Sequence, residues 1–182
     1  MFFNALFIAA YTIAIIISFQ RPSSPVLLFV VSSTFVTFIP LFVIFIMLKK
    51  TIIPDIFASE RSSRKKPFIA ALFCYLSGII VLLLVNAPLN LIALLACYFV
   101  NSSIMMVISQ FWKISIHASG ISGPATFLTH QLGFGMIPFV LLILPISWAR
   151  LKLKAHDVYQ VTAGSLLAIV LTYVQLEIYL AS

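Results

Sequence analysis

The stretch Trp148-Ala-Arg-Leu-Lys-Leu-Lys-Ala-His-Asp-Val-Tyr-Gln160 separates two apolar runs near the end of the chain. Residues 136–149 precede it and residues 157–179 follow it, and neither run contains a lysine or an arginine. A short basic loop between two apolar runs is typical of a protein whose helices cross a membrane. The stretch therefore predicts a loop at the membrane surface, carrying a fixed cation and an imidazole that suit an anionic head group.

The composition agrees with a membrane location. Of the 182 residues, 63% are hydrophobic and only 8% are charged. A soluble domain cannot cover its surface with so few polar side chains. Since a spanning helix needs roughly 20 apolar residues, the length suits about six or seven crossings. We predict an all-α integral membrane protein, with residues 1–182 forming one transmembrane domain.

The apolar segments give the order of the helices. No basic region precedes the first run and no cleavage site follows it, so we expect that run to remain as a helix. Pro40 predicts a kink in the second run. The predicted helical segments are residues 2–19, 26–48, 68–86, 89–109, a short segment ending near 132, 136–149 and 157–179.

Three polar patches are predicted to lie on one side of the membrane. They cover residues 49–66, 110–120 and 150–156, and two helical segments separate each patch from the next. The turns on the other side carry a single charged residue, Arg21. The three patches can therefore converge on one charged active-site face of the helix bundle. The positive-inside rule would place that face in the cytoplasm of a multi-pass protein of the cell membrane.

The net charge of +7 and the pI near 9.7 come from basic residues in short loops. This distribution favours membrane lipids and phosphates as partners and argues against nucleic acid. The acidic residues are too scattered to hold a hard metal ion. They are Asp55, Glu60, Asp157 and Glu177. The sequence predicts neither a metal nor a cofactor and leaves the oligomeric state open.

Two of the three histidines fall on the charged face. They are His117 and His156, whereas His130 lies near the opposite turn and is expected to be structural. A histidine that attacks phosphorus needs an acceptor to hold its ring, cations around the phosphate and an acid for the leaving oxygen. His156 could attack, with Gln160 as its acceptor. Arg150 could bind the phosphate, and His117 could donate the proton.

Two expectations depend on where helices begin. If the last helix begins near Ala155, His156 and Gln160 lie one turn apart on the same face. His117 is expected at the start of the fifth segment, where the free N–H groups of Ser119 and Gly120 would favour an anion.

The spacing Ala149-Arg150-(five residues)-His156-(three residues)-Gln160 resembles a known motif. It is S-R-x5-H-x3-D, the third motif of the type 2 phosphatidic acid phosphatase superfamily of membrane lipid phosphatases. Ile114-Ser-Ile-His117 looks like the second motif of that superfamily, P-S-G-H. The phrases around both motifs resemble a small prokaryotic branch, and the resemblance covers roughly residues 54–170.

The resemblance implies a role for each matching residue. His156 becomes the nucleophile that accepts the phosphoryl group, and His117 becomes the general acid. Arg150 and Ser115 become phosphate ligands, and Gln160 takes the place of the orienting aspartate. The implied reaction is metal-independent hydrolysis through a phosphohistidine. Its substrate would be a long-chain lipid phosphate or diphosphate, either polyprenyl or phosphatidate-like.

The first motif of the superfamily, K-x6-R-P, is not matched. Lys66-Pro67 fits its end, but Ser59 stands where the lysine belongs. Other cations could bind the phosphate in its place, or they could serve topology and lipid head groups. The candidates are Arg61, Arg64, Lys66 and Lys113.

Two other functions compete with a lipid phosphatase. Gly120-Ile-Ser-Gly123 fits the G-x-S-G pattern of a rhomboid-like intramembrane protease, with Ser122 as nucleophile and His156 as base. Against it, Tyr159 occupies the glycine position of the A-H-x-x-G pattern. A lipid-binding or transport protein with a catalytically impaired pocket is the other alternative, favoured by Gln160 and the unmatched first motif.

Overall fold

The computed structural model describes residues 2–54 and 63–180, with side chains from residue 7 onward. Within these ranges all regular structure is helical. The helices are α1 (Phe2–Gln20), α2 (Pro25–Ser33), a π-helical turn (Thr34–Phe38), α3 (Ile39–Lys49), α4 (Lys65–Leu84), α5 (Leu89–Phe111), α6 (Ile116–Leu132), a 3₁₀ turn (Phe134–Met136), α7 (Ile137–Leu141), α8 (Ile143–Lys152) and α9 (Val158–Tyr179).

Five helical stretches in the described part of the chain are long and apolar enough to cross a membrane. They are Pro25–Lys49, Lys65–Leu84, Leu89–Phe111, Phe134–Lys152 and Val158–Tyr179. The prediction of an all-helical, multi-pass membrane protein is thereby confirmed. The apolar part of α1, Phe7–Gln20, is shorter, and α6 has 17 residues. The count of six to seven crossings therefore stays a prediction.

The second span stays helical through Pro40, where the sequence predicts a kink. The π-helical turn Thr34–Phe38 lies directly before this proline, which sits in the first turn of α3. A proline ring has no N–H to donate and clashes with the carbonyl four residues earlier. The wider π-helical turn accommodates that ring without ending the helix.

Helices α6 and α9 pack more extensively on each other than any other pair, and they run parallel. At one end, the N–H of Ser115 donates to the carbonyl of Gln160 (3.1 Å). At the other end, the ring of His130 hydrogen-bonds to Glu177 (3.2 Å). The two helices therefore begin at the same end of the bundle, which is the end that carries the basic loops.

Helix α5 runs antiparallel to α6. Asn90, at its start, donates to Gln131 at the end of α6 (2.7 Å). Half-way along, Asn101 donates to Thr172 of α9 (2.9 Å) and accepts from Gln175 (2.9 Å). Hydrogen bonds of this kind between helices stabilise membrane proteins by about 0.6–2 kcal/mol each. They fix α5 and α9 in register, and no motif in the sequence indicates them.

Candidate functional site

The turn between Arg150 and His156 has a defined backbone structure. The N–H of Ala155 donates to the carbonyl of Arg150 (3.1 Å), and the N–H of Lys154 donates to that of Leu151 (2.9 Å). Lys154 has a left-handed φ of 50°. These two bonds and the left-handed residue form a Schellman motif at the end of α8. The five residues between the arginine and the histidine are thus one helix-ending turn.

His156 lies just outside α9. The helix begins at Val158, and the Asp157 side chain caps it by accepting from the N–H of Gln160 (2.8 Å). This start agrees with the predicted segment 157–179. The alternative start near Ala155 is wrong, because the aspartate cap places the first helical residue three positions later. The contact expected from that register is nevertheless present, since His156 Nδ1 lies 3.0 Å from Gln160 Oε1.

The hydrogen bonds of His156 fix the proton on its ring. Nδ1 lies 3.0 Å from the backbone carbonyl of Lys113 and 3.0 Å from Gln160 Oε1. A carbonyl oxygen can only accept, so Nδ1 carries the hydrogen and Nε2 keeps its lone pair. Lys113 was a candidate phosphate ligand through its side chain. The structure shows its carbonyl orienting the imidazole, a role that side-chain identity does not reveal.

Two buried guanidinium groups stand close to this imidazole. Arg64, just before α4, is 4% exposed, and Arg150, in the last turn of α8, is 6% exposed. Burial lowers the pKa of His156, whereas its hydrogen bonds to Gln160 and Lys113 raise it. The charges of Arg150 and Arg64 lower it further. The net effect is a pKa of His156 below the ordinary value of histidine. The imidazole is therefore neutral and nucleophilic at pH 7.

The proximity of Arg150 to His156 gives a testable pH effect. Replacing Arg150 with glutamine removes a positive charge that opposes imidazolium, so we expect the pKa of His156 to rise. NMR titration of ¹³C-labelled histidine in detergent measures it. The matched control is Lys152→Gln, which removes an exposed cation from the same helix. A pKa that stays constant or falls in Arg150→Gln would contradict this electrostatic arrangement.

Ser115 forms the start of α6. Its Oγ accepts from the N–H of Ala118 (3.4 Å), and its carbonyl accepts from the N–H of Ser119 (3.2 Å). The helix begins at Ile116, one residue before His117, which the sequence places at the helix start. The N–H of Ser119 is therefore engaged within the helix, and the expectation that it is free is wrong. Gly120 lies deeper in the same helical turn, so its amide does not belong to the helix start either.

A close backbone approach joins the two histidine segments. The Ser115 N–H bonds to the Gln160 carbonyl (3.1 Å), and Gly164 faces the Ser115 carbonyl oxygen. A Cβ at position 164 would lie 2.6 Å from that oxygen. This approach, which needs glycine, sets the segment of His117 beside that of His156. The sequence alone does not indicate the role of Gly164, because its only signal is a small residue one turn after Gln160.

The candidate phosphate-binding cations of the first polar patch differ in their burial. Arg64 lines a cavity together with His117 and Ser119, all of them buried. Lys66 is exposed on α4 and is not among the residues that line this cavity. Arg61 lies outside the described residues. Among the described residues of this patch, Arg64 is thus the cation that the structure brings to the histidines.

The serine of the protease alternative is not paired with a histidine. Ser122 is fully buried, and its Oγ has no hydrogen-bond partner in residues 2–54 and 63–180, a range that includes His156. A serine protease needs its nucleophile within hydrogen-bond reach of the base. The structure therefore does not form the arrangement that this alternative requires.

His130 is placed where the sequence predicts, at the other end of α6. Its ring contacts Tyr173 edge-on, with 5.7 Å between ring centroids, and bonds to Glu177 and Gln131. These contacts connect α6 to α9, which is a structural role for His130. Within the described ranges, no three His, Cys, Asp or Glu side chains are grouped as metal ligands would be.

Arg64 and Arg150 lie near the neutral imidazole of His156, and Arg64 also lines the cavity that the buried His117 lines, so Arg64 is shared by the two histidines. A nucleophile, a proton donor and cations for oxyanions are the parts that phosphoryl transfer needs.

No protein-family model, curated protein or solved structure matches this chain.

Proposed function

We propose that this protein is a metal-independent phosphatase of lipid phosphates that acts through a phosphohistidine. The hydrogen bonds of His156 carry the proposal. Two acceptors hold its Nδ1–H, so Nε2 keeps its lone pair, and Arg64 and Arg150 lie close enough to lower the pKa of the ring. An imidazole in this state is a nucleophile for phosphorus, and two cations offset the charge of the phosphate oxygens.

In the proposed reaction, Nε2 of His156 forms a bond to phosphorus while the bond to the lipid oxygen breaks. His117 gives its proton to that leaving oxygen. Arg64 and Arg150 stabilise the charge on the transferring group. Water then attacks the phosphohistidine, His117 takes a proton from it, and phosphate leaves. Ser115 holds His117 in place by starting α6.

With Gln160 in the place of an aspartate, the proposed reaction is expected to be slower. An aspartate would stabilise the imidazolium that forms during attack, whereas a neutral amide only orients the ring. The Lys113 carbonyl supplies a second acceptor at the same Nδ1 (3.0 Å). The same glutamine also suits a lipid-binding or transport protein with an impaired pocket, and absence of turnover would favour that function.

The proposed topology has seven crossings in a multi-pass protein of the cell membrane. Helices α6 and α9 run parallel, and the span Phe134–Lys152 joins the end of one to the start of the other. A chain that returns between parallel helices must have crossed in each of them, so α6 counts as a crossing despite its length. Helix α1 supplies the seventh. The substrate, a polyprenyl or phosphatidate-like phosphate, would enter from the bilayer.

The direct test measures phosphate release by the purified protein in detergent with EDTA present. The panel contains a polyprenyl diphosphate, a polyprenyl phosphate and phosphatidate. We expect release from at least one of them. Release that requires added magnesium would overturn the metal-free mechanism, and the absence of release from every substrate would favour the binding protein.

The role of His117 can be tested through the leaving group. Replacing it with alanine should slow hydrolysis of an alkyl phosphate by about 10²–10⁴-fold, because an alkoxide needs a proton to leave. A nitrophenyl phosphate, whose leaving group is stable without a proton, should lose far less. Rates with the two ester classes are compared in the same preparation. Equal losses would show that His117 is not the acid.

A further inference from the structure

A groove of about 380 Å³ lies between α6, α9 and the span Phe134–Lys152. His130 and Phe134 line it, so it lies toward the end of the bundle opposite the basic loops. Among its lining residues only Ala125 is buried, and the others keep part of their surface accessible. They include Thr126, Thr129, Val140, Ile143, Ile169 and Tyr173. The groove is therefore open space at the protein surface and not a packed core.

Loose packing of the span Phe134–Lys152 creates this groove. Of the most apolar part of this span, 6% is buried, compared with 33% for the span Val158–Tyr179 beside it. An apolar cavity of roughly 150 Å³ takes up a benzene molecule, and this groove has more than twice that volume. Voids of this size are rare in packed protein, so hydrocarbon fills such a groove inside a bilayer. The occupant that the bilayer supplies is a lipid chain.

A chain of hydrogen bonds ends on a carboxylate at the surface end of the groove. Asn90 donates to Gln131 Oε1 (2.7 Å), and Gln131 Nε2 lies 3.0 Å from His130 Nδ1. An amide nitrogen can only donate, so Nδ1 accepts and the His130 ring carries its hydrogen on Nε2. Nε2 donates to Glu177, in the last turn of α9 (3.2 Å). The imidazole in this arrangement is neutral, so Glu177 keeps its negative charge.

This carboxylate is accessible and lies beside an accessible aromatic ring. The Glu177 side chain is 54% exposed. Tyr173, one turn before it on α9, is 52% exposed and donates its hydroxyl hydrogen to the carboxylate. A carboxylate and a tyrosine ring both attract an ammonium ion, and the carboxylate repels a lipid whose head group is only anionic.

Positive side chains are scarce at this end of the bundle. Of the lysines and arginines in the described ranges, only Arg21 lies here, in the turn before the span Pro25–Lys49. It is not among the residues that line the groove. The charge beside the groove is therefore that of Glu177, and it complements a cation.

We propose that this groove binds a phospholipid with an ammonium head group, from the leaflet opposite the basic loops. One chain lies along Val140 and Ile169, and the ammonium lies at Glu177 and over the ring of Tyr173. Tyr173 connects the two parts of the site, since it lines the groove and contacts the carboxylate. The site lies at the other end of α6 from His117, so the proposal does not depend on the proposed function.

Photocrosslinking in nanodiscs tests this site without depending on turnover. The discs contain equal amounts of phosphatidylethanolamine and phosphatidylglycerol, and one or the other carries a diazirine near the sixth carbon of one chain. This depth suits the groove, which extends about 7.5 Å along α6 from His130 to Ala125. Labelled residues are mapped by mass spectrometry. Labelling of Phe73 and Leu76, both exposed on α4, is the reference for each lipid.

Labelling of Val140 and Ile169, relative to that reference, should be stronger from phosphatidylethanolamine than from phosphatidylglycerol. The expected ratio is about three- to thirtyfold, the range for one exposed ion pair together with one cation–π contact. Equal labelling by the two lipids would overturn the proposal. Labelling of Phe73 with no labels in the groove from either lipid would also overturn it, because a second copy of the chain or the span itself would then cover the groove.

A double variant removes the charge and the ring together. It carries Glu177→Gln and Tyr173→Leu, and the glutamine oxygen can still accept from His130. The ratio between the two lipids in the groove should fall to near one. Tyr159→Leu is the matched control, because it removes an exposed tyrosine from the other end of α9 and should keep the wild-type ratio. An unchanged ratio in the double variant, or an equal fall in Tyr159→Leu, would contradict the proposal.

Discussion

Replacing His156 with alanine is expected to reduce phosphate release by at least about 10³-fold, because the substitution removes the proposed nucleophile. The loss should appear in kcat, since the cations that bind the phosphate remain. The wild type should also show a covalent phosphoryl group on His156 after rapid quenching, stable in base and labile in acid. The substitution leaves the Lys113 carbonyl and Gln160 Oε1 without their donor, which costs about 1–3 kcal/mol of the free energy of unfolding, so phosphate release is measured well below the unfolding midpoint.

His130→Ala is the matched control for this prediction. It removes the same side chain from the opposite end of α6, where the ring contacts Tyr173 and Glu177 instead of the cations. Phosphate release should therefore remain near the wild-type rate. Wild-type turnover in His156→Ala, or a phosphoryl group on another residue, would contradict the mechanism.

Replacing Gly164 with alanine is expected to reduce both stability and phosphate release. The added Cβ would lie 2.6 Å from the Ser115 carbonyl oxygen, and a backbone atom cannot rotate away. Helix α9 must move, which strains the bond between Ser115 and Gln160 and separates His156 from His117. Overpacking of this kind costs about 1–3 kcal/mol of the free energy of unfolding. A displacement of about 1 Å between reacting groups slows catalysis roughly 10²-fold.

Gly135→Ala provides the corresponding control. A Cβ at Gly135 would meet no atom within 4 Å, so this variant should keep the wild-type unfolding midpoint and rate. Both quantities are measured in the same detergent. If Gly164→Ala behaves like Gly135→Ala, the close approach of α9 to Ser115 is not needed for the site.

The apolar runs were sufficient to predict most helices. The stretches Pro25–Lys49, Lys65–Leu84, Leu89–Phe111 and Val158–Tyr179 lie within a few residues of the predicted segments. Such segments must satisfy their own backbone groups in lipid, so composition alone selects a helix. The capping contacts of Ser115 and Asp157 set the exact starts of α6 and α9, and the apolar pattern does not show these contacts.

For the charged face, too, the sequence predicted the location, and the packing decided which residues meet there. The order of the segments predicted that basic loops would meet at one end, and the nearness of Arg64, Arg150 and His156 agrees with it. The sequence could not decide between Arg64 and Lys66, since burial depends on how α4 packs. It also could not reveal that a backbone carbonyl, that of Lys113, orients the imidazole.

By itself, the sequence determined that this chain forms membrane helices with basic loops at one end, because lipid imposes local rules on every segment. Only the tertiary structure decided which side chains meet. Arg64 joins His117 at the cavity, and Gly164 lets α9 approach Ser115. These contacts are between residues far apart in the chain. They depend on where the backbone lies and on which side chains are buried, and no local sequence pattern encodes either.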